Sequence, residues 1–136
     1  MENPSDERLM EILDATETIA SVGLSGNEEK PSHWVGLYLM GEGFHVIPVN
    51  PTTDKILGEK TYPDLESIPE KVDVVQIFRP SEAVMPIVES AIKIGAKVVW
   101  MQEGIVNEEA AEKAHAAGLE VVMDACMRAT HRNLCK

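Results

Sequence analysis

Ile19-Ala20-Ser21-Val22-Gly23-Leu24-Ser25-Gly26 reads as a buried strand that runs into a glycine loop. A helix-like run from Pro31 to Gly43 follows, and then a second apolar run, Phe44-His45-Val46-Ile47-Pro48-Val49-Asn50-Pro51. Strand, glycine loop, helix and strand make the opening βαβ unit of a nucleotide-binding sheet. The turn after a first parallel strand aims backbone N–H groups, and the positive end of a helix dipole, at an anion above the sheet edge. The ligand question therefore begins at Gly23–Lys30.

Working outward, Ser5 is placed to cap a short helix in which Leu9, Ile12 and Leu13 share one face. The first strand is expected over Thr18–Leu24, the next helix over Ser32–Glu42 with Gly43 as its left-handed stop, and the second strand over His45–Val49. Asn50-Pro51 breaks pairing, and a short third strand is expected near Lys60–Tyr62. Val72–Phe78 is nearly continuous in apolar residues, as a strand covered on both faces should be. Ser81 is expected to cap the following helix, which stops at Gly95; its Pro86 is harmless only in the first turn. Lys97–Met101 is a strand, Asn107 caps a helix that Gly118 stops, and Leu119–Met123 is the last strand. The remaining tail, with Cys135, is expected to be mobile. Alternating strands and helices imply an α/β fold: a three-layer, Rossmann-like, doubly wound parallel sheet, most simply in the order 3-2-1-4-5. Residues 1–136 are expected to form one such domain.

The 136 residues carry a formal charge of −11. This argues against nucleic acid, which needs a basic face to displace counterions. No apolar run approaches the ~20 residues of a membrane span, and two cysteines without a disulfide framework suit a reducing, cytoplasmic setting. Eight acids fall within residues 1–29 against Arg8 alone, whereas nothing after Asp124 is acidic. An anionic ligand is thus expected to approach through backbone amides, Lys30, Arg79 or the basic tail.

The dinucleotide fingerprint would need glycine at positions 25 and 28, where Ser25 and Glu28 stand. The acid that would bind an NAD ribose after the second strand is also missing, since Val49-Asn50-Pro51-Thr52 fills that place. Five segments instead resemble a known family. They are Val22–Ser25 with Lys30-Pro31-Ser32, Val46–Pro51, Phe78-Arg79-Pro80-Ser81-Glu82, Val99–Ile105, and Ala117–Asp124 before Cys126. Together they are similar to the small stand-alone CoA-binding proteins and to the CoA-binding domain that opens the succinyl-CoA synthetase alpha subunit. The resemblance implies that Gly23, Leu24 and Ser25, with Lys30, Pro31 and Ser32, lie near phosphate. It implies further that Val49, Asn50 and Pro51 lie near the adenosine, and Phe78, Arg79, Pro80 and Ser81 along the cofactor. Glu28 and Glu29 depart from the pattern by placing two negative charges in the phosphate loop.

Read as residues alone, Gly23 and Gly26 are ligand-loop glycines. Gln102 and Gly104 end a strand on the ligand edge, and Cys126 is delivered to the same edge by the last strand. A side chain at position 23 is expected to harm binding more than folding. No catalytic or metal residue is assigned. The expected function is binding of coenzyme A or an acyl-CoA by a non-catalytic carrier, sensor or regulatory protein. The alternatives are a subunit of an acyl-CoA synthetase-type enzyme with a separate protein partner, and an NAD(P)-binding or CoA-disulfide redox regulator. The oligomeric state is left open.

Overall fold

Branched, apolar runs fold as strands here because both of their faces are covered. In the computed structural model, which describes residues 1–136, five parallel strands form the sheet: β1 (Thr18–Val22), β2 (His45–Val49), β5 (Val74–Ile77), β6 (Val98–Met101) and β7 (Glu120–Val122). A small antiparallel hairpin, β3 (Lys55–Ile56) and β4 (Glu59–Lys60), stands apart from it. The register aligns Ala20 with Ile47 and Val75, Val75 with Val99, and Val99 with Val121. Helices α1 (Asp6–Ala15), α2 (Pro31–Gly41) and α5 (Met127–Cys135) cover one face, over Ile19, Val74, Val98 and Trp100. Helices α3 (Val84–Lys93) and α4 (Glu108–Ala116) cover the other, over Ala20, Val75, Val99 and Val121.

The fold class is as expected, but the strand order runs β2-β1-β5-β6-β7. The expected outer third strand is reduced to one residue: Tyr62 bridges Val49, donating its amide to Pro48 O at 3.1 Å and accepting from Asn50 N at 2.9 Å. Pro63 and Pro48 lack the N–H groups that would extend this ladder. At the opposite edge the Asn3 carboxamide takes a strand's place, donating to Met123 O at 2.7 Å and accepting from Met123 N at 2.8 Å.

Ser5 caps α1 by accepting from Arg8 N, and Asn107 caps α4 by accepting from Ala110 N. Ser81 does not cap its helix. It sits in a 3-10 turn (Ser81–Ala83), and its Oγ accepts instead from Val106 N at 3.0 Å. Regular α geometry begins at Val84, so Pro86 falls in the first turn, where a missing amide costs no hydrogen bond. The tail is not loose: α5 packs on α1 and α2, and Tyr38 Oη and His131 Nδ1 meet at 2.9 Å. No helix is long and apolar enough to cross a membrane.

Candidate functional site

Parallel strands bring their carboxyl ends to one edge. The chain leaves β1 toward β2 and returns to β5 on β1's other side, so a crevice opens between the loops that follow β1 and β5. A cleft of about 470 Å³ lies there, within the usual range for small-molecule sites. Gly23, Ser25, Lys30, Pro31, Ser32, Phe78, Arg79, Gln102 and Cys126 line it.

The loop after β1 is held by its own side chains. Ser32 Oγ accepts from Ser25 N at 3.0 Å, Ser25 Oγ from Asn27 N at 3.0 Å, and Asn27 Oδ1 from Glu29 N at 2.9 Å. The Gly23 amide is spent on Val49 O at 3.0 Å. The intervening amides of Leu24, Gly26 and Glu28 donate to nothing in the protein. Gly23 has φ +89°, and a Cβ there would stand 3.3 Å from Arg79 Cδ. Gly26 has an ordinary φ and would meet only Ile56, at 4.0 Å.

Lys30 and Arg79 are the only cations in the cleft, and no carboxylate pairs with either. Glu28 and Glu29 are exposed in the adjoining loop. Facing the cations across the strand ends, the loop after β6 is tightly fastened. Ile105 N donates to Gln102 O at 2.9 Å, Gly104 N to Asp124 Oδ1 at 2.6 Å, and Asp124 N to Ile105 O at 3.2 Å.

Other sequence candidates fall outside the lining. Leu24 and Val49 are core residues, and Asn50 Nδ2 donates to Leu24 O at 3.3 Å, which ties the two loops together. Pro51 and Pro80 are exposed, Ser81 serves the loop before α4, and Gly104, at φ +83°, turns the loop after β6. Gly26 likewise lies off the cleft. Val35, Glu103 and Ile105 line it without having been singled out as site residues. Val35 lies three residues beyond Ser32 on α2, and the other two flank Gly104 at a strand's carboxyl end, so position alone could have suggested them. Cys135 lies at the far end of α5 from Cys126, and burial followed by Asp14 pushes its thiol pKa up.

The family described as CoA binding domain matches residues 17–132. The Bacillus subtilis protein YneT is 40% identical over 131 residues, covering 96% of this chain and 97% of that protein. The structure of a hypothetical protein from Pyrococcus horikoshii is 42% identical, with a TM-score of 0.95 over 100% of both chains. The ADP-forming acetate–CoA ligase II of Archaeoglobus fulgidus is 32% identical over 94 residues, which span 68% of this chain but only 14% of the ligase. An acetyl-coenzyme A synthetase from Korarchaeum cryptofilum, in its apo form, is 30% identical with a TM-score of 0.74, covering 85% of this chain and 28% of its own.

Proposed function

The chain belongs to the CoA-binding domain family, and from that premise we propose that it binds coenzyme A, or an acyl-CoA, in the cleft at the carboxyl edge of its sheet. The observation that carries this reading is the meeting of Gly23 with two cations free of carboxylates, Lys30 and Arg79, at the switch point of the sheet. Phosphates of the cofactor would lie against those cations at the start of α2, since a helix N-terminus suits an anion. The adenosine would extend toward Asn50 and Pro51 on the rim. Glu28 and Glu29 oppose the phosphates and set the affinity lower than a neutral loop would.

The chain acts here as a carrier, sensor or regulatory protein in a cytoplasmic, reducing setting. Its likeness to part of the acetate–CoA ligase favours a second reading, in which it serves an acyl-CoA synthetase through a separate chain. Co-purification with a nucleotide-binding partner would support that role.

Thermal unfolding tests the proposal. Ligand at about 100 times its dissociation constant stabilises the native state by roughly 2.7 kcal/mol, and a domain of this size gains about 2–5 °C per kcal/mol. CoA is expected to raise the melting temperature well above the effect of equal NAD, NADH or ATP. Changing Arg79 to Gln should reduce the shift, and changing Glu28 and Glu29 to Gln should enlarge it. No response to CoA by the wild type or by the double Gln variant, with a response to NADH, would overturn the reading.

A further inference from the structure

Away from its cations, the cleft carries a polar chain that the reading above leaves unused. Ser21 Oγ donates to Gln76 Oε1 at 2.9 Å, and Gln76 Nε2 donates to Gln102 Oε1 at 3.1 Å. The Met127 amide, at the start of α5, donates to the same Gln102 oxygen at 3.0 Å. Ser21 and Gln76 are fully buried and Gln102 is 5% exposed, so the chain crosses the apolar layer beneath α2 and α5.

The direction of the Gln102 carboxamide follows from its partners. A backbone N–H can only donate, so the group that faces Met127 N must be the oxygen. Its nitrogen therefore points away, and Nε2 has no partner in the protein. Yet no buried side-chain nitrogen or oxygen is left unpaired. Nε2 is thus the part of Gln102 that opens into the cleft it lines. Two amide hydrogens are held there, facing outward, by a network that would be costly to bury half-satisfied.

Charge decides what they meet. Gln102 follows β6, two strands from the glycine loop of β1, so roughly 10 Å separates them at about 4.8 Å per strand. Both cleft cations belong to the β1 and β5 loops, whereas Glu103, Ile105 and Cys126 flank Gln102. A phosphate would find no countercharge there and one like charge. A neutral acceptor would find two fixed donors.

We infer that Gln102 Nε2 donates to a carbonyl oxygen on the neutral arm of the ligand, either a pantetheine amide or the thioester of an acyl-CoA. The inference rests on the CoA reading and extends it to the end of the molecule that carries the acyl group. Gln102 is a specificity residue, held in its donor orientation by Gln76 and by the first amide of α5.

Gln102→Glu tests this, because a carboxylate still accepts from Gln76 and Met127 but offers no donor to the cleft. Calorimetric titration would compare CoA, acetyl-CoA and 3′-phosphoadenosine diphosphate, the nucleotide end alone. The variant is expected to lose about tenfold or more in affinity for acetyl-CoA, which carries both kinds of carbonyl, and nothing for the nucleotide fragment. A larger loss for acetyl-CoA assigns the thioester, and an equal loss assigns the pantetheine amides. In the wild type, the side-chain amide protons of Gln102 should shift downfield with acetyl-CoA and stay in place with the fragment. That measurement decides the matter even if the variant fails to fold. Acetyl-CoA binding with unmoved Gln102 signals, or with unchanged affinity in Gln102→Glu, would overturn this assignment alone. Wild-type protein that binds neither CoA nor acetyl-CoA overturns the functional reading as well.

Discussion

A side chain at position 23 has little room, because φ is +89° and its Cβ would stand 3.3 Å from both Arg79 Cδ and Phe78 Cβ. Left-handed backbone costs an L-residue roughly 1–2 kcal/mol, so Gly23→Ala is expected to lower the melting temperature by several degrees. The sequence pattern suggested that a substitution there would act on the ligand more than on the fold. The backbone angle adds a cost to the fold itself, and the forced movement of Arg79 adds a cost to binding. Gly26→Ala is the natural control, since its φ is ordinary and its Cβ would meet Ile56 only at 4.0 Å. Scanning calorimetry of the two variants should show a clear drop for position 23 and little change for position 26. Equal melting temperatures would refute the argument from strain.

Helix α5 couples stability to the site, because Met127 is fully buried while its amide fixes Gln102. Met127→Ala is expected to cost about 2–5 kcal/mol, read as a lower urea midpoint by tryptophan fluorescence. It should also weaken CoA binding by loosening the start of the helix. Wild-type stability in this variant would mean that α5 is not part of the folding unit. This helix was hidden in the sequence for a physical reason. Met127-Arg128-Ala129-Thr130-His131-Arg132-Asn133-Leu134-Cys135 has few apolar residues and no side-chain cap, and tertiary contacts hold it. The strands were legible because Val74-Val75 and Val98-Val99 are buried on both faces, and Asn107, Gly43 and Gly118 mark helix ends through their own backbone chemistry. Ser81 misled because its hydroxyl is taken by Val106, a neighbour in space. The cleft was half legible: its glycine and cations follow strand ends in order. The donor orientation of Gln102 depends on Gln76 and Met127, respectively 26 and 25 residues away, and no local pattern encodes it.

Acid should unfold the whole molecule through a small set of carboxylates. At Asp73, burial works to raise the pKa, but the amides of Thr18 and Glu17, at 3.0 and 2.9 Å, and Lys97 at 3.6 Å outweigh it and hold the pKa below the usual range. Glu89 beside Lys113 and Glu120 beside Arg8 are lowered too, though these surface pairs contribute little. A lowered carboxylate contributes fully above its unfolded pKa of about 3.9 and loses that contribution as pH falls through its folded value. Melting temperature is therefore expected to be insensitive to these groups near neutrality and to fall below about pH 4, less steeply in Asp73→Asn. An unchanged acid slope in that variant would assign the effect elsewhere. The margins of the sheet matter at the same scale. Asn3 occupies the outward hydrogen-bonding pair of Met123, while Pro48 and the single bridge at Tyr62 close the far side. Neither margin offers a row of open amides and carbonyls on which a foreign strand could template itself. Resistance to fibril growth is thus built into the ends of the ladder, and release of the first few residues, more than crowding, would be the event that exposes a seed.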